Sequence, residues 1–311
     1  VDPEPTFSLP AGATLLEYVE DLRSDGVRVA AGGGETYWVA TPHGVVRRVP
    51  TFHVDSPDPS EVDAALRASG AVVASYVTAP ADGHPANAWL YLCADRGYAL
   101  DGLPPTMRRN VKRAARELTI APLTGAELLA HGARAFSDTR RRTGLDRETV
   151  ATFRRYFAHR GYIDRPGRAF LGAWKDGQLA AFVKALHVDD WVELTTFAMD
   201  SMLRYRPNDA LLYGALSHYL GRGGCRVVSF GLSSIQASSN IDGLHRFKLK
   251  VGFTPTRVHR AFVLHPSLRP LANRVTLRAA RRTVNGALRV RPRSRRLTKL
   301  EGMLTCMLQA T

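Results

Sequence analysis

Residues 226–232 read as a β-strand that runs into a glycine, ending Ser229-Phe230-Gly231-Leu232. Fifteen residues later comes Phe247-Lys248-Leu249-Lys250-Val251-Gly252-Phe253. A short polar segment separates the two, 242–250 reads as a short helix, and 257–264 reads as the last strand. A strand that leaves its sheet through a glycine loop, followed by a ring and a lysine side by side, brings one aromatic and one cation to the place where strands leave the sheet. The Phe-Lys pair alone says little; Phe230-Gly231 before it and Val251-Gly252-Phe253 after it make the pattern specific.

The remaining elements fit around this point. In the first part, 14–24 is a helix with Leu15, Leu16, Val19 and Leu22 on one face. Strands are expected over 37–41, 45–54, 71–78 and 88–94, with a helix over 59–68 opened by Ser56 or Asp58. Residues 106–118 are expected to form a helix behind Pro104-Pro105, with Met107, Val111, Ala114, Ala115 and Leu118 on its apolar face. In the second part, helices are expected over 124–142 and 147–160 with Gly144 at the joint. Strands follow over 170–175, 179–187 and 191–199, the first pair joined by the hairpin signal Asp176-Gly177. Pro207 opens a helix that stops in the glycine-rich stretch 221–224. The chain is therefore expected to be α/β with mixed sheets, divided as 1–118, 119–265 and an Arg-rich tail over 266–311.

Charge is concentrated rather than spread. The net charge is +15, and between Pro266 and Leu300 there are eleven Lys and Arg and no acid. A single-sign stripe of this kind favours polyphosphate partners. The other reading is a solvated tail without a partner. No stretch approaches the ~18 apolar residues of a membrane span, and no secretion signal is visible. Cys93, Cys225 and Cys306 lie far apart without metal-ligand spacing; they read as buried apolar residues and point to a reducing, cytoplasmic setting. No hydrolase elbow, zincin or nucleotide-binding glycine loop is present.

The strand Arg-Val-Val-Ser-Phe-Gly-Leu, the Phe247-Lys248 pair with Val251-Gly252-Phe253 after it, and the basic helix Leu103-Pro-Pro-Thr-Met-Arg-Arg-Asn-Val-Lys-Arg-Ala-Ala-Arg116 together resemble the Fem-type branch of the GNAT acyltransferase superfamily, over roughly residues 90–265. The resemblance implies tandem GNAT-like domains, here with a basic C-terminal helical tail. It also implies transfer of an aminoacyl group from aminoacyl-tRNA, a co-substrate rather than a bound cofactor, to the amine of a small-molecule or peptide acceptor. Fem-type enzymes carry a similar Phe-Lys pair at this place. Lys248 would stabilise the tetrahedral oxyanion as a fixed cation, and Phe247 would stack on a terminal base or pack a cofactor arm.

Other residues take roles from their positions. Glu193 alternates with Val192 and Leu194 on a central strand, which aims it at a cleft as a general base; His187 and Asp209 are the other candidates for that role. Many CoA-dependent members of the superfamily have a glycine-containing pyrophosphate loop where this chain has Arg204-Tyr205-Arg206-Pro207-Asn208-Asp209. Proline removes an N–H donor there and Asp209 adds negative charge, which argues against ordinary CoA binding. Tyr205, Asn208, Asp209 and Ser233 are expected to touch substrate. Arg204, Arg206, Lys250, Arg108, Arg109, Lys112, Arg281 and Arg282 are expected to meet tRNA or phosphate. Two alternatives stay open: an acyl-CoA-dependent N-acyltransferase, with Arg204 and Arg206 on the pyrophosphate, and a non-catalytic nucleic-acid-binding protein on a GNAT scaffold, acting through its tail.

Overall fold

The structure is a computed structural model and describes residues 7–309 except 42, 144–148, 234–240 and 293. The chain folds as two compact units that interleave along the sequence. One comprises Val1–Tyr18, Tyr91–Phe230 and Asn240–Thr254; the other comprises Val19–Leu90, Gly231–Ser239 and Pro255–Thr311.

The second of these units is built on α1 (Leu15–Ser24), β1 (Val29–Ala31), β2 (Tyr37–Ala40), β3 (Val45–Val49), α2 (Pro59–Ser69) and β4 (Val73–Thr78). Strand β5 (Ala88–Cys93) follows. The sequence dictates α2 directly. The Asp58 side chain accepts from the Ser60 N–H, Pro59 occupies the first turn, and Gly70 closes the helix in the left-handed conformation. Its buried face of Val62, Ala65 and Leu66 packs with Trp38, Val46 and Ala74. β1, β2 and β3 pair antiparallel in sequence, β3 pairs with β4 in parallel, and β4 pairs antiparallel with β11 (Thr254–Leu264).

The tail is folded. Helices α9 (Arg274–Val290) and α10 (Arg295–Gln309) share an apolar seam of Leu277, Val284, Leu304 and Met307, against which Phe262 and Leu264 of β11 pack. The run of arginines at alternate positions over 289–295 suggests a solvated tail when read alone. The seam is hard to see in the sequence because its apolar residues are spaced at helical intervals between the arginines.

The other unit contains α3 (Pro105–Glu117), β6 (Thr119–Pro122), α4 (Gly125–His131), α5 (Ala133–Arg142), α6 (Val150–Phe157), β7 (Arg168–Lys175), β8 (Gln178–Val188), β9 (Trp191–Ala198), α7 (Pro207–Leu216), β10 (Val227–Leu232) and α8 (Ile241–Val251). Strands β6, β7, β8 and β9 pair antiparallel in sequence, and β10 adds to β9 in parallel. Asp176 and Gly177 both take positive φ in the β7–β8 hairpin, as a tight two-residue turn requires. The expected helix 124–142 is interrupted at Gly132. There a Cβ would meet Leu128 and Phe153 at 2.8 Å, so the close approach needs glycine. The joint expected at Gly144 lies outside the described residues. An aromatic cluster fills the space between β7–β9 and the helices α4–α6: Phe136, Phe153, Phe157, Phe170, Phe182 and Phe197. The three cysteines are buried and free.

Candidate active site

β9 and β10 are paired at only three positions, Trp191↔Val227, Val192↔Val228 and Glu193↔Ser229. Both strands continue past that point, to Ala198 and Leu232, so they part after Glu193 and Ser229. Helix α8 returns beside this parting. Gly252 ends it with φ at +107°, and a Cβ there would meet the Tyr98 ring at 2.9 Å. Only glycine fits both demands. Tyr98 also donates its hydroxyl to the Val251 carbonyl at 2.7 Å, which fixes the helix end.

Lys248 on α8 is 2% exposed. Its Nζ donates to the Phe230 carbonyl at 3.2 Å and lies 3.8 Å from the centre of the Tyr91 ring and 4.8 Å from that of Phe230. Burial pushes this amine down to about 7. The carbonyl and the two ring faces favour the ammonium form. No carboxylate forms an ion pair with it among the described residues. Tyr91 in turn bonds His245 Nδ1 through its hydroxyl at 2.9 Å, and burial holds that phenol above the usual tyrosine range. Sequence reasoning misses Tyr91 and His245. Tyr91 sits in an ordinary apolar strand pattern, and its histidine partner lies 154 residues away, so no local signal marks it.

Glu193 occupies the other face of the sheet. Strand alternation puts it with Phe197, which stacks on Phe182 and packs on Phe136 of α5. In register opposite it, Ser229 shares that face, so the next residue, Phe230, turns its ring and its Lys248 contact to the opposite face. The two residues expected to do chemistry therefore approach the strand parting from opposite sides. Near Glu193, Lys184 donates Nζ to the Tyr162 hydroxyl at 3.2 Å and feels the Glu193 charge. Burial raises Tyr162, but the charges and hydrogen bonds of Lys184 and Arg168 outweigh it and hold the phenol below its ordinary value. Nothing local in the sequence marks Tyr162, Lys184 or Arg168.

The start of α7 explains the unusual loop. Arg206 takes a left-handed conformation, and its carbonyl accepts the N–H groups of Asp209 and Ala210. Asp209 is 3% exposed; it accepts from Lys250 Nζ and from Asn110 of α3, both at 2.7 Å. Asp209 and Lys250 thus neutralise each other and tie α7 to α3 and α8. The Asn208 side-chain oxygen is buried without a hydrogen-bond partner. Arg204 is exposed and packs on Tyr205, 4.7 Å from its ring centre, and Arg206 is exposed. Phe247 is half-buried under Lys250. Ser233, in the other unit, exchanges two hydrogen bonds with the Trp89 main chain. On α3, Arg109 and Lys112 are exposed and Arg108 is half-buried. In the tail, Arg282 is exposed and Arg281 is paired with Glu301 at 3.0 Å. His187 is held by the Asp189 carbonyl and Cys225, and burial lowers its pKa.

No protein-family model matches the chain, and no curated protein matches it by sequence. Solved structures do match. FemX is 12% identical over 85% of this chain and 96% of its own, with a TM-score of 0.56. L-PGS from Bacillus licheniformis is 11% identical over 83% and 94%, with a TM-score of 0.46. A GCN5-related N-acetyltransferase from Kribbella flavida is 14% identical over 81% and 96%, with a TM-score of 0.45. Among the described residues no helix is long and apolar enough to cross a membrane. The mixed α/β architecture, with its parallel β9–β10 pair parting beside α8, has the fold of FemX.

Proposed function

We propose that the chain is an aminoacyltransferase that moves an aminoacyl group from aminoacyl-tRNA to the amine of a small-molecule or peptide acceptor. The observation that carries this reading is Lys248, a buried lysine without a carboxylate, held at the carbonyl of the first residue past the paired part of β10. An amine attacks the ester carbonyl, forming a C–N bond, and the carbonyl electrons move onto oxygen. Lys248 as ammonium donates to that oxyanion, in a site where exclusion of water strengthens the contact. Collapse breaks the ester C–O bond, and the ribose oxygen leaves as the tRNA hydroxyl, taking the proton that the nitrogen sheds after the C–N bond has formed. Glu193, reaching the parting from the opposite face, accepts the proton that the attacking ammonium must lose. Phe247 offers a ring to the terminal base of the donor, and the exposed cations of α3 and of the tail meet its phosphates.

An acyl-CoA donor fits the start of α7 less well. Pro207 supplies no N–H, two of the next N–H groups are taken by the Arg206 carbonyl, and Asp209 lies just inside the helix. The test uses bulk tRNA charged with labelled amino acids, the protein, and a low-molecular-mass extract as the source of amines. Label should pass into an acid-soluble amide, and complete digestion of the RNA beforehand should abolish the transfer. Product that survives RNA digestion, or that appears with acetyl-CoA in place of tRNA, contradicts the proposal.

A further inference from the structure

In the unit that contains α2, the order β3–α2–β4 repeats the strand–helix–strand crossover of β9–α7–β10. β3 and β4 pair in parallel at three positions, Val45↔Val73, Val46↔Ala74 and Arg47↔Ser75. Both strands then run on, to Val49 and Thr78, and β4 meets the chain again at the parallel Val54↔Val77 bridge, so a gap opens just after Arg47 and Ser75. A pocket lies at this parting, and its walls include Arg47, Arg48, Thr51, Tyr76 and Arg260. Arg260 comes from β11, in register with Val77, and alternation puts it on the same sheet face as Ser75 and Arg47. Arg47 and Arg260 therefore meet at this pocket from one face, whereas Arg48, the next residue along β3, alternates to the other.

Their charges are balanced unequally. Arg48 is buried and paired with Asp55, with Glu61 at 3.8 Å. Neither Arg47 nor Arg260 has a carboxylate partner among the described residues. The Arg260 Nε is buried without a hydrogen-bond partner, and its guanidinium lies 5.0 Å from the centre of the Phe262 ring. Burial and the neighbouring Arg47 charge push Arg260 down to about 10. Two like charges facing one pocket, one of them withdrawn from water, are at odds with their own electrostatics unless an anion joins them. The start of α2 does not hold that anion. Its cap is Asp58, Pro59 lacks an N–H, the Ser60 N–H is already bonded, and Glu61 adds charge of the wrong sign.

We propose that this pocket binds a phosphate group, gripped by Arg47 and Arg260 across the parting of β3 and β4. Two uncompensated guanidinium charges suit a phosphate monoester, which carries about −1.5 to −2 at neutral pH, and the planar guanidinium matches phosphate oxygens in pairs. The group can belong to a small phosphorylated molecule or to a nucleic-acid chain, because the recognised chemistry is the same. The proposal does not depend on the identity of the acyl donor, and none of its readouts requires transfer activity.

The experiment is calorimetric titration of the full chain with inorganic phosphate and with pyrophosphate, repeated in the presence of a short single-stranded RNA. Saturable binding is expected. Arg47→Gln, at an exposed strand position, and Arg260→Gln should each weaken it about tenfold or more. Arg67→Gln, at an exposed position of α2, should leave it unchanged. Displacement by the RNA assigns the phosphate to a nucleic-acid chain, and failure of displacement assigns it to a small molecule; both support the pocket. Absence of saturable binding, or binding that Arg47→Gln leaves intact while circular dichroism shows a folded protein, overturns it.

Discussion

Lys248 is taken out of water without an anion to compensate it, and that arrangement has consequences at the level of the single residue. Its amine titrates near 10.5 in the unfolded chain and near 7 in the folded one. Between those values the unfolded chain holds a proton that the folded chain does not. Stability is therefore highest above pH 10.5 as far as this group is concerned, and it declines as pH falls towards 7, by on the order of 4–5 kcal/mol at 1.36 kcal/mol per pH unit. Lys248→Met, which keeps the shape and removes the charge, should raise stability at pH 7 by about 2–4 kcal/mol, allowing for the Phe230 carbonyl left without a donor. It should also flatten the pH dependence between 7 and 10.5, as read by urea unfolding at a series of pH values. An unchanged or lowered stability would mean that the lysine is better solvated than its 2% exposure implies. In the proposed mechanism the catalytic form is the ammonium, so kcat/KM for the donor should fall as pH rises through about 7. A rate that climbs through the same pH would instead make the neutral amine the active form. The Phe-Lys pair and its neighbouring glycines are legible in the sequence, because each is a local signal. The environment of the lysine is not. Its two rings come from β5 and β10, and only the folded sheet brings them together.

At the scale of elements, the parting of β9 from β10 gives the site its access, and the ties around α7 set its shape. In the sequence, Asp209 reads as a charge in the way of a phosphate. In the fold it is a buried tie between three helices, because Lys250 and Asn110 satisfy both of its oxygens. Asp209→Ala should therefore destabilise the protein by about 2–3 kcal/mol. That is less than the full ~3–5 kcal/mol for a broken buried pair, because Lys250 is 24% exposed and can regain water. Denaturant titration reads this directly, and a change within about 0.5 kcal/mol, the usual range for surface substitutions, would show that the tie is not structural. Phe247 is a contrasting case: it is half-buried and exposes part of its ring. Phe247→Ala should weaken binding of charged tRNA by about 1–3 kcal/mol, measured by filter binding, and should change turnover at saturation little. Most elements are legible from apolar period and punctuation. The α2 cap, the Asp-Gly hairpin, Pro207 and the apolar face of α3 are all local chemistry. The short strands β1 and β6 are not. β6 has an exposed, mixed pattern and exists because β7 offers it a ladder, which is a tertiary fact.

For the whole molecule, the concentration of arginine in the last part of the chain is plain in the sequence, and its organisation is not. α9 and α10 bury an apolar seam, so Arg281 is drawn into a pair with Glu301 while others stay outside. Arg274, Arg278, Arg282 and Arg289 are exposed and fall along one stripe of α9, at i, i+4, i+8 and i+15. Removing the tail would uncover the seam, so substitution is the cleaner test. Changing these four to Gln should weaken tRNA binding and reduce the slope of log K against log salt by about 0.7–0.9 for each phosphate that is no longer neutralised. A slope that stays the same would exclude this stripe from the RNA interface. The proposed transfer reaction meets its most direct test at Lys248. Single-turnover transfer from charged tRNA should fall by about 100-fold or more in Lys248→Ala, the size expected when one oxyanion donor is removed, with donor binding nearly unchanged. Full transfer activity in a folded Lys248→Ala protein would contradict the site and the mechanism together.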